Sequence, residues 1–290
     1  MKYEGMIIRP PSEAYSLLLQ VTVGCSHNKC TFCRAYKDKK FRIKSFEEIE
    51  EDIIEASRYG AIEKVFLCDG DALIIPQKKL VPIIESINTR IRGVERIGTY
   101  ANTKSVLRKS PEELKELREM GLSIAYLGLE TGNDLLLEKV RKGVNAAQMI
   151  EAARRVKDAG ITLSVTVLLG IGGTKMSREH ALDTARVLTE MDPDYVGALT
   201  VMVVPGTQLY DEQTAGDFEL PDTFGFLEEL GIMVGNSNFT NCYFTSNHAS
   251  NYLPIKARMP EEKEETVRLI SNVIESRNRN ILRPEYLRGL

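Results

Sequence analysis

The sequence predicts an α/β protein: a partial, three-quarter (βα)6 barrel of the TIM type with a C-terminal extension that caps the barrel mouth. Three observations carry this reading. Short β-branched runs alternate with amphipathic helical stretches along most of the 290 residues. Six such units can be counted, two short of a closed eight-fold barrel. The segments after the strands hold the glycines, acids and cysteines, and parallel sheets keep their sites at those carboxyl ends.

The elements follow in order. The first strand is Ser16–Val23, and a long loop leads to Ser45, which with Glu48 has the capping-box spacing that opens a helix through Tyr59. Lys64–Cys68 is the second strand, followed by a helix near Gln77–Ile91. The third strand is Arg96–Tyr100; its helix opens at Ser110-Pro111-Glu112-Glu113, a cap followed by a first-turn proline, and stops before Gly121. Strand Ile124–Leu129, helix Ala146–Ala159, strand Thr162–Leu169, helix Arg178–Met191 and strand Tyr195–Val203 complete the series. The barrel is therefore expected over residues 1–210, with its core at about 16–210. Residues 211–290 form the extension, with an apolar helix near Asp222–Leu230, a polar-aromatic segment and a charged amphipathic helix near Glu261–Ser276.

Composition narrows the function classes. Hydrophobic residues at 43% and charged residues at 27% exclude a disordered or collagen-like chain. A net charge of −3 gives no overall attraction to nucleic acid, and no nucleic-acid partner is expected. The N-terminus lacks the layout of a signal peptide, and the apolar run Ile161–Ile171 is interrupted by Thr162, Ser164 and Thr166. A cytoplasmic protein with no membrane partner is expected.

Five cysteines suit no disulfide framework, and three crowd into Cys25-Ser26-His27-Asn28-Lys29-Cys30-Thr31-Phe32-Cys33. This C-x4-C-x2-C loop directly follows the first strand. Three thiolates can hold three irons of a [4Fe–4S] cluster and leave one iron open to a small molecule. Structural zinc is a second reading, with Cys68, Cys242 or His27 as the fourth ligand. A group of buried thiols is a third.

Further motifs stand at the other strand ends. The second strand ends Cys68-Asp69-Gly70-Asp71, and the third ends Tyr100-Ala101-Asn102. The fourth ends Gly128-Leu129-Glu130-Thr131-Gly132-Asn133-Asp134, with Lys142 twelve residues after Glu130. The fifth ends Leu168-Leu169-Gly170-Ile171-Gly172-Gly173, and the sixth Val204-Pro205-Gly206-Thr207-Gln208-Leu209-Tyr210.

These stations, in this order, resemble those of the radical S-adenosylmethionine (radical SAM) enzymes from about Leu17 to Tyr210. The strand-four and strand-six motifs are most similar to those of the oxygen-independent coproporphyrinogen oxidase and methylthiotransferase branch. The cysteine spacing departs from the usual C-x3-C-x2-C by one additional residue. The acid that often follows the strand-five glycines is missing, although Thr174 remains.

The resemblance implies that Cys25, Cys30 and Cys33 hold a [4Fe–4S] cluster and are the catalytic metal ligands. It implies S-adenosyl-L-methionine (SAM) as cofactor. Phe32, just before the last cysteine, stands at the family's aromatic position. Gly70, with Asp71 or Asp69, would meet the methionyl amino group, and Asn102 would lie near SAM. Glu130 would accept from the ribose hydroxyls, Lys142 or Arg141 would meet the carboxylate, and Leu168 and Ile171 would flank the adenine. The implied reaction is reductive cleavage of SAM to a 5′-deoxyadenosyl radical that takes hydrogen from a substrate. The electron would come from a donor of flavodoxin or ferredoxin type.

A small polar substrate is expected to meet Asn247, His248 and Asn251 in the segment Thr245–Tyr252. His180, on the helix after strand five, is expected at the surface. A non-catalytic iron–sulfur carrier and a zinc-stabilised binding module are the alternative classes, and neither requires Asp71, Glu130 or Lys142.

Overall fold

A computed structural model describes residues Met1–Gly289. In chain order the regular elements are β1 (Leu17–Gln20), β2 (Thr22–Val23), β3 (Arg42–Ile43), α1 (Phe46–Ala56), β4 (Lys64–Cys68), α2 (Gln77–Arg90), β5 (Arg96–Ala101), α3 (Thr103–Leu107), α4 (Pro111–Glu119) and β6 (Leu122–Glu130). They continue with α5 (Asp134–Lys139), α6 (Ala146–Asp158), β7 (Thr162–Leu169), α7 (Gly173–Met191), β8 (Tyr195–Thr200), α8 (Gln208–Ala215), α9 (Thr223–Asn236), β9 (Cys242–Thr245), β10 (Lys256–Met259) and α10 (Lys263–Ser276). All six anticipated strand-helix units are present. The fold class is the expected α/β arrangement of mostly parallel strands.

The chain divides into two compact units. The first comprises residues 1–28, 35–127 and 151–163. Here β1, β4, β5 and β6 lie side by side in that order, all parallel. β4 is buried from Val65 to Cys68, as a parallel strand covered on both faces must be. Phe66, Tyr100 and Tyr126 form edge-to-face pairs, with Phe66 5.1 Å from Tyr100 and 5.8 Å from Tyr126 between ring centroids. Phe66 is fully buried; such a side chain contributes about 1.5–3 kcal/mol by burial alone. Ser45 and Ser110 cap α1 and α4 as their sequences dictate, with Glu48 and Glu113 closing each capping box.

The first strand departs from expectation. Gln20 ends the pairing with β4, Val21 N–H still donates to the Cys68 carbonyl, and Thr22–Val23 then turns to pair antiparallel with β3. One apolar run thus serves two sheets, which its composition alone does not reveal.

The second unit comprises residues 29–34, 128–150 and 164–290. β7 and β8 are parallel, β9 adds parallel to β8, and β10 returns antiparallel to β9. The last two strands lie in the segment read from the sequence as polar-aromatic, to which no strand was assigned. α7 starts at Gly173, five residues before the expected Arg178, with a kink at Met176. Gly170, Gly172 and Gly173 give the entry to this helix the loop composition that hid its start. Among the described residues no helix is long and apolar enough to cross a membrane.

Candidate active site

In the first unit, the end of β4 is stitched to the chain entering the cysteine loop. Gly70 N–H donates to the Gly24 carbonyl at 3.2 Å, and Gly24 N–H donates to Asp69 Oδ2 at 3.1 Å. A side chain on Gly70 would lie 2.7 Å from Tyr36 Cε2 and 2.9 Å from Cys25 Cβ, so only glycine lets the two backbones approach. Cys25 itself is half-buried.

The carboxylates beside Gly70 look inward. Asp69 Oδ2 also accepts from Gln20 Nε2 at 3.3 Å and from Lys39 Nζ at 3.1 Å. Asp71 Oδ2 accepts from the hydroxyls of Ser26 and Ser105, each at 2.5 Å. Both aspartates have 0% accessible surface. The two carboxylates expected to meet a ligand ammonium are thus both turned inward. Asp71 instead ties the first residues of the cysteine loop to α3, and only Gly70 of the three is exposed enough to offer a ligand contact. Burial raises the Asp71 pKa against the opposing hydrogen bonds of Ser105 and Ser26. Its Oδ1 is buried without a hydrogen-bond partner.

Asn102 ends β5 as the N-cap of α3, accepting from Lys104 N–H at 3.0 Å. It is half-buried, and the helix it caps carries Ser105 to Asp71. Cys68, at the end of β4, is buried, and burial raises its thiol pKa. His27 is half-buried.

The remaining cysteines belong to the second unit, where Cys30 and Cys33 are half-buried. Between them, Thr31 N–H donates to the Val140 carbonyl and its own carbonyl accepts from Leu209 N–H, both at 3.1 Å. Phe32 packs on an apolar cluster of Val140, Ile171, Val201, Leu209 and Phe218, joined by Leu168. The Phe32, Leu168 and Ile171 side chains singled out in the sequence therefore share one apolar patch. Arg34 donates to the Pro205 carbonyl, and Gly206 leaves room for the guanidinium, with φ +82°. The Pro-Gly-Thr stretch thus receives the second half of the cysteine loop, while Thr207 caps α8.

The end of β6 is the most constrained station. Thr131 N–H donates to the Leu129 carbonyl at 2.8 Å, closing a three-residue turn around Glu130, whose φ is +65°. Non-glycine residues in this region are uncommon and concentrate at functional sites. The Glu130 carboxylate folds back over Gly128, into space a Cβ there would occupy, and accepts from Lys142 Nζ at 2.8 Å. Gly132 lies against the backbone of α7, 2.7 Å from Thr184 Cα by the position of a missing Cβ. Asn133 caps α5, and its amide donates to Asp183 Oδ2 at 2.6 Å. Each residue of the Gly-Leu-Glu-Thr-Gly-Asn motif thus has a physical task.

His180 is not at the surface as expected. It is fully buried, with Nδ1 2.8 Å from Thr131 Oγ1 and Nε2 3.1 Å from the Leu168 carbonyl. Glu229, also buried, lies 3.3 Å from Nε2. Neither was singled out from sequence as part of the site. The signal available was a pair of carboxylates, Glu228 and Glu229, inside the mostly apolar helix segment Phe224–Val234, where only one of two adjacent positions can face solvent.

The Thr245–Tyr252 segment is a hydrogen-bonded turn. Asn251 is buried; its amide donates to the Ala198 carbonyl at 2.7 Å and accepts from the Thr200 hydroxyl at 2.8 Å. Asn251, expected from the sequence to meet substrate, thus has both amide atoms bonded within the fold. Asn247 is exposed and His248 half-buried, with Nδ1 2.9 Å from Ser250 Oγ. Burial, then the nearby Arg283 charge, lowers the His248 pKa.

Comparison with known proteins defines the class. Residues 19–188 match the Radical SAM superfamily, and the chain belongs to it. The heme chaperone HemW of Bacillus subtilis is 23% identical over 204 residues, 66% of this chain and 53% of that protein. Coproporphyrinogen III oxidase (HemN) from Escherichia coli, a radical SAM enzyme, superposes with a TM-score of 0.56 at 13% identity, covering 74% of this chain and 50% of that one. The methyltransferase TsrM from Kitasatospora setae, solved with cobalamin and a [4Fe–4S] cluster bound, gives a TM-score of 0.56 at 18% identity, covering 71% of this chain and 41% of that one. The chain spans about half the length of the curated relatives it matches, from 38% to 64%. A [4Fe–4S] cluster and SAM are the cofactors of this superfamily.

Proposed function

We propose that the protein is a SAM-cleaving radical enzyme acting on a small polar substrate. Cys25, Cys30 and Cys33 would hold the cluster, and their soft thiolate donor set suits iron–sulfur ligation. Gly70 would present its backbone to the methionyl amino group. Lys142 would take the carboxylate, Glu130 the ribose hydroxyls, and Phe32, Leu168 and Ile171 the adenine. With both cofactors bound, the cluster would supply the electron for reductive cleavage of SAM, and that radical chemistry would allow a hydrogen atom to be taken from a substrate carbon.

The chain's own residues would bind, orient and exclude water. The apolar patch under Phe32 removes water from one side, and the Asp71 bonds to Ser26 and Ser105 fix the loop that carries Cys25. Asn102 would assist as a polar neighbour of SAM. Residues 211–290 would cap the barrel mouth and shape the substrate side, with Asn247 and His248 as the side chains offered. The electron donor would be of flavodoxin or ferredoxin type.

The observation that carries this reading is Glu130, held at positive φ and paired with Lys142 beside Gly128. Neither an electron carrier nor a zinc module needs that arrangement. The test is the EPR spectrum of anaerobically reconstituted, dithionite-reduced protein. The reading predicts a [4Fe–4S] signal that SAM perturbs and that Cys30→Ala abolishes; a signal indifferent to SAM contradicts it.

A further inference from the structure

The end of β7 is held from an element sixty residues further along the chain. Glu229 of α9 is 1% exposed and is the buried one of the two carboxylates, Glu228 and Glu229, in the mostly apolar helix segment Phe224–Val234. Its Oε1 accepts from Gly170 N–H at 2.5 Å, and its Oε2 accepts from the Ser177 hydroxyl at 2.5 Å. His180 Nε2 stands 3.3 Å from Oε1 and 3.1 Å from the Leu168 carbonyl. Both neighbours are acceptors, so Nε2 carries the hydrogen.

The other face of the imidazole reaches a second strand end. Nδ1 lies 2.8 Å from Thr131 Oγ1 and 3.3 Å from Thr184 Oγ1, and Thr184 Oγ1 accepts from Gly132 N–H at 2.9 Å. One turn earlier on α9, Phe226 fills the space a side chain on Gly170 would need, and Gly170 has φ +82°. A single buried carboxylate thus binds the backbone of the β7 turn. Through His180 it also reaches the turn that follows Glu130.

A buried carboxylate in an apolar helix is costly unless its donors justify it, and a leucine there would pack more cheaply. These partners are a backbone amide, a hydroxyl and an imidazole, all at or near the two strand ends. We propose that Glu229 is a positioning residue that sets the β7 and β6 turns in register for the adenosine half of SAM, acting on the first directly and on the second through His180. The proposal rests on the reading of Leu168, Ile171 and Glu130 as SAM contacts.

The test measures S-adenosylhomocysteine affinity by calorimetry on the cluster-loaded full chain, alongside hydrogen exchange at Gly170–Gly173 and KM and kcat for SAM cleavage. Glu229→Ala is expected to weaken binding about tenfold and to expose the Gly170 amide, raising KM while kcat at saturation changes less than about threefold. Glu229→Gln, which keeps an acceptor for Gly170, is expected to restore most of the affinity. If the alanine variant does not fold, Ser177→Ala removes one of the bonds and is expected to weaken binding about threefold. Variants that melt earlier yet bind the probe as the wild type does would overturn the proposal and leave the SAM reading intact. Wild-type protein that binds no probe would overturn the SAM reading, and the proposal with it.

Discussion

Glu130 Oε1 accepts from Lys142 Nζ at 2.8 Å, and the two side chains are only 12% and 15% exposed. The pair joins the end of β6 to the turn after α5, with Glu130 held in a left-handed conformation that a closed three-residue turn imposes. Such a residue persists where the surroundings over-determine it.

Lys142→Met keeps the aliphatic stem and strands the carboxylate. It is expected to raise the KM for SAM at least tenfold while lowering stability by only about 1 kcal/mol, since the pair is not fully desolvated. Glu130→Gln, which retains an acceptor, is expected to lose less affinity than Glu130→Ala. Steady-state SAM cleavage and chemical denaturation measure the two effects separately.

Gly70→Ala places a methyl between Tyr36 and Cys25. Overpacking of this kind costs about 1–3 kcal/mol. Because the displaced neighbour is a proposed cluster ligand, the expected consequence is a fall in iron and sulfide bound per chain after reconstitution. Full loading in this variant would show that the Gly70 approach does not set the position of Cys25.

Gly132→Ala tests helix packing apart from any cofactor. Its added Cβ meets the backbone of Asp183 and Thr184, which cannot swing aside like a side-chain tip. The expected loss is at least about 2 kcal/mol, read as a lower midpoint in urea for the cofactor-free chain.

Asp71 gives a pH signature. Its folded-state pKa is raised from 3.8 by burial, so the native chain binds the proton more tightly than the unfolded chain does. That contribution is fully present below the unfolded value and is lost as pH rises through the folded value. Asp71→Asn keeps an acceptor for Ser26 and Ser105 without a charge. Its stability relative to wild type is expected to grow from about pH 4 upward and then level off. Denaturation across a pH series checks this; a difference that stays flat contradicts it.

Much of the framework was legible in the sequence because it is local. Lys64–Cys68 and Thr162–Leu169 are bounded by turn residues and fall where expected. The Ser45 and Ser110 caps are set by residues three apart. Long-range partners hid the rest. β9 is four residues long and takes its identity from pairing with β8. His180 looks polar on a surface helix until Thr131, 49 positions away, is seen to face it. Asp71 reads as a ligand-facing acid after a strand, and only its bonds to Ser26 and Ser105 show it turned inward. Glu130 and Lys142 were each legible from their motif as separate contacts for SAM, whereas their mutual ion pair across α5 is visible only in the structure.

The most direct test of the central claim is formation of 5′-deoxyadenosine. Protein reconstituted anaerobically is incubated with dithionite and SAM, and the product is followed by chromatography. The account predicts slow 5′-deoxyadenosine formation by the wild type, abolished in Cys30→Ala and strongly reduced in Glu130→Ala. A cluster-loaded wild type that forms none, and whose EPR signal SAM leaves unchanged, would contradict it and favour an iron–sulfur carrier.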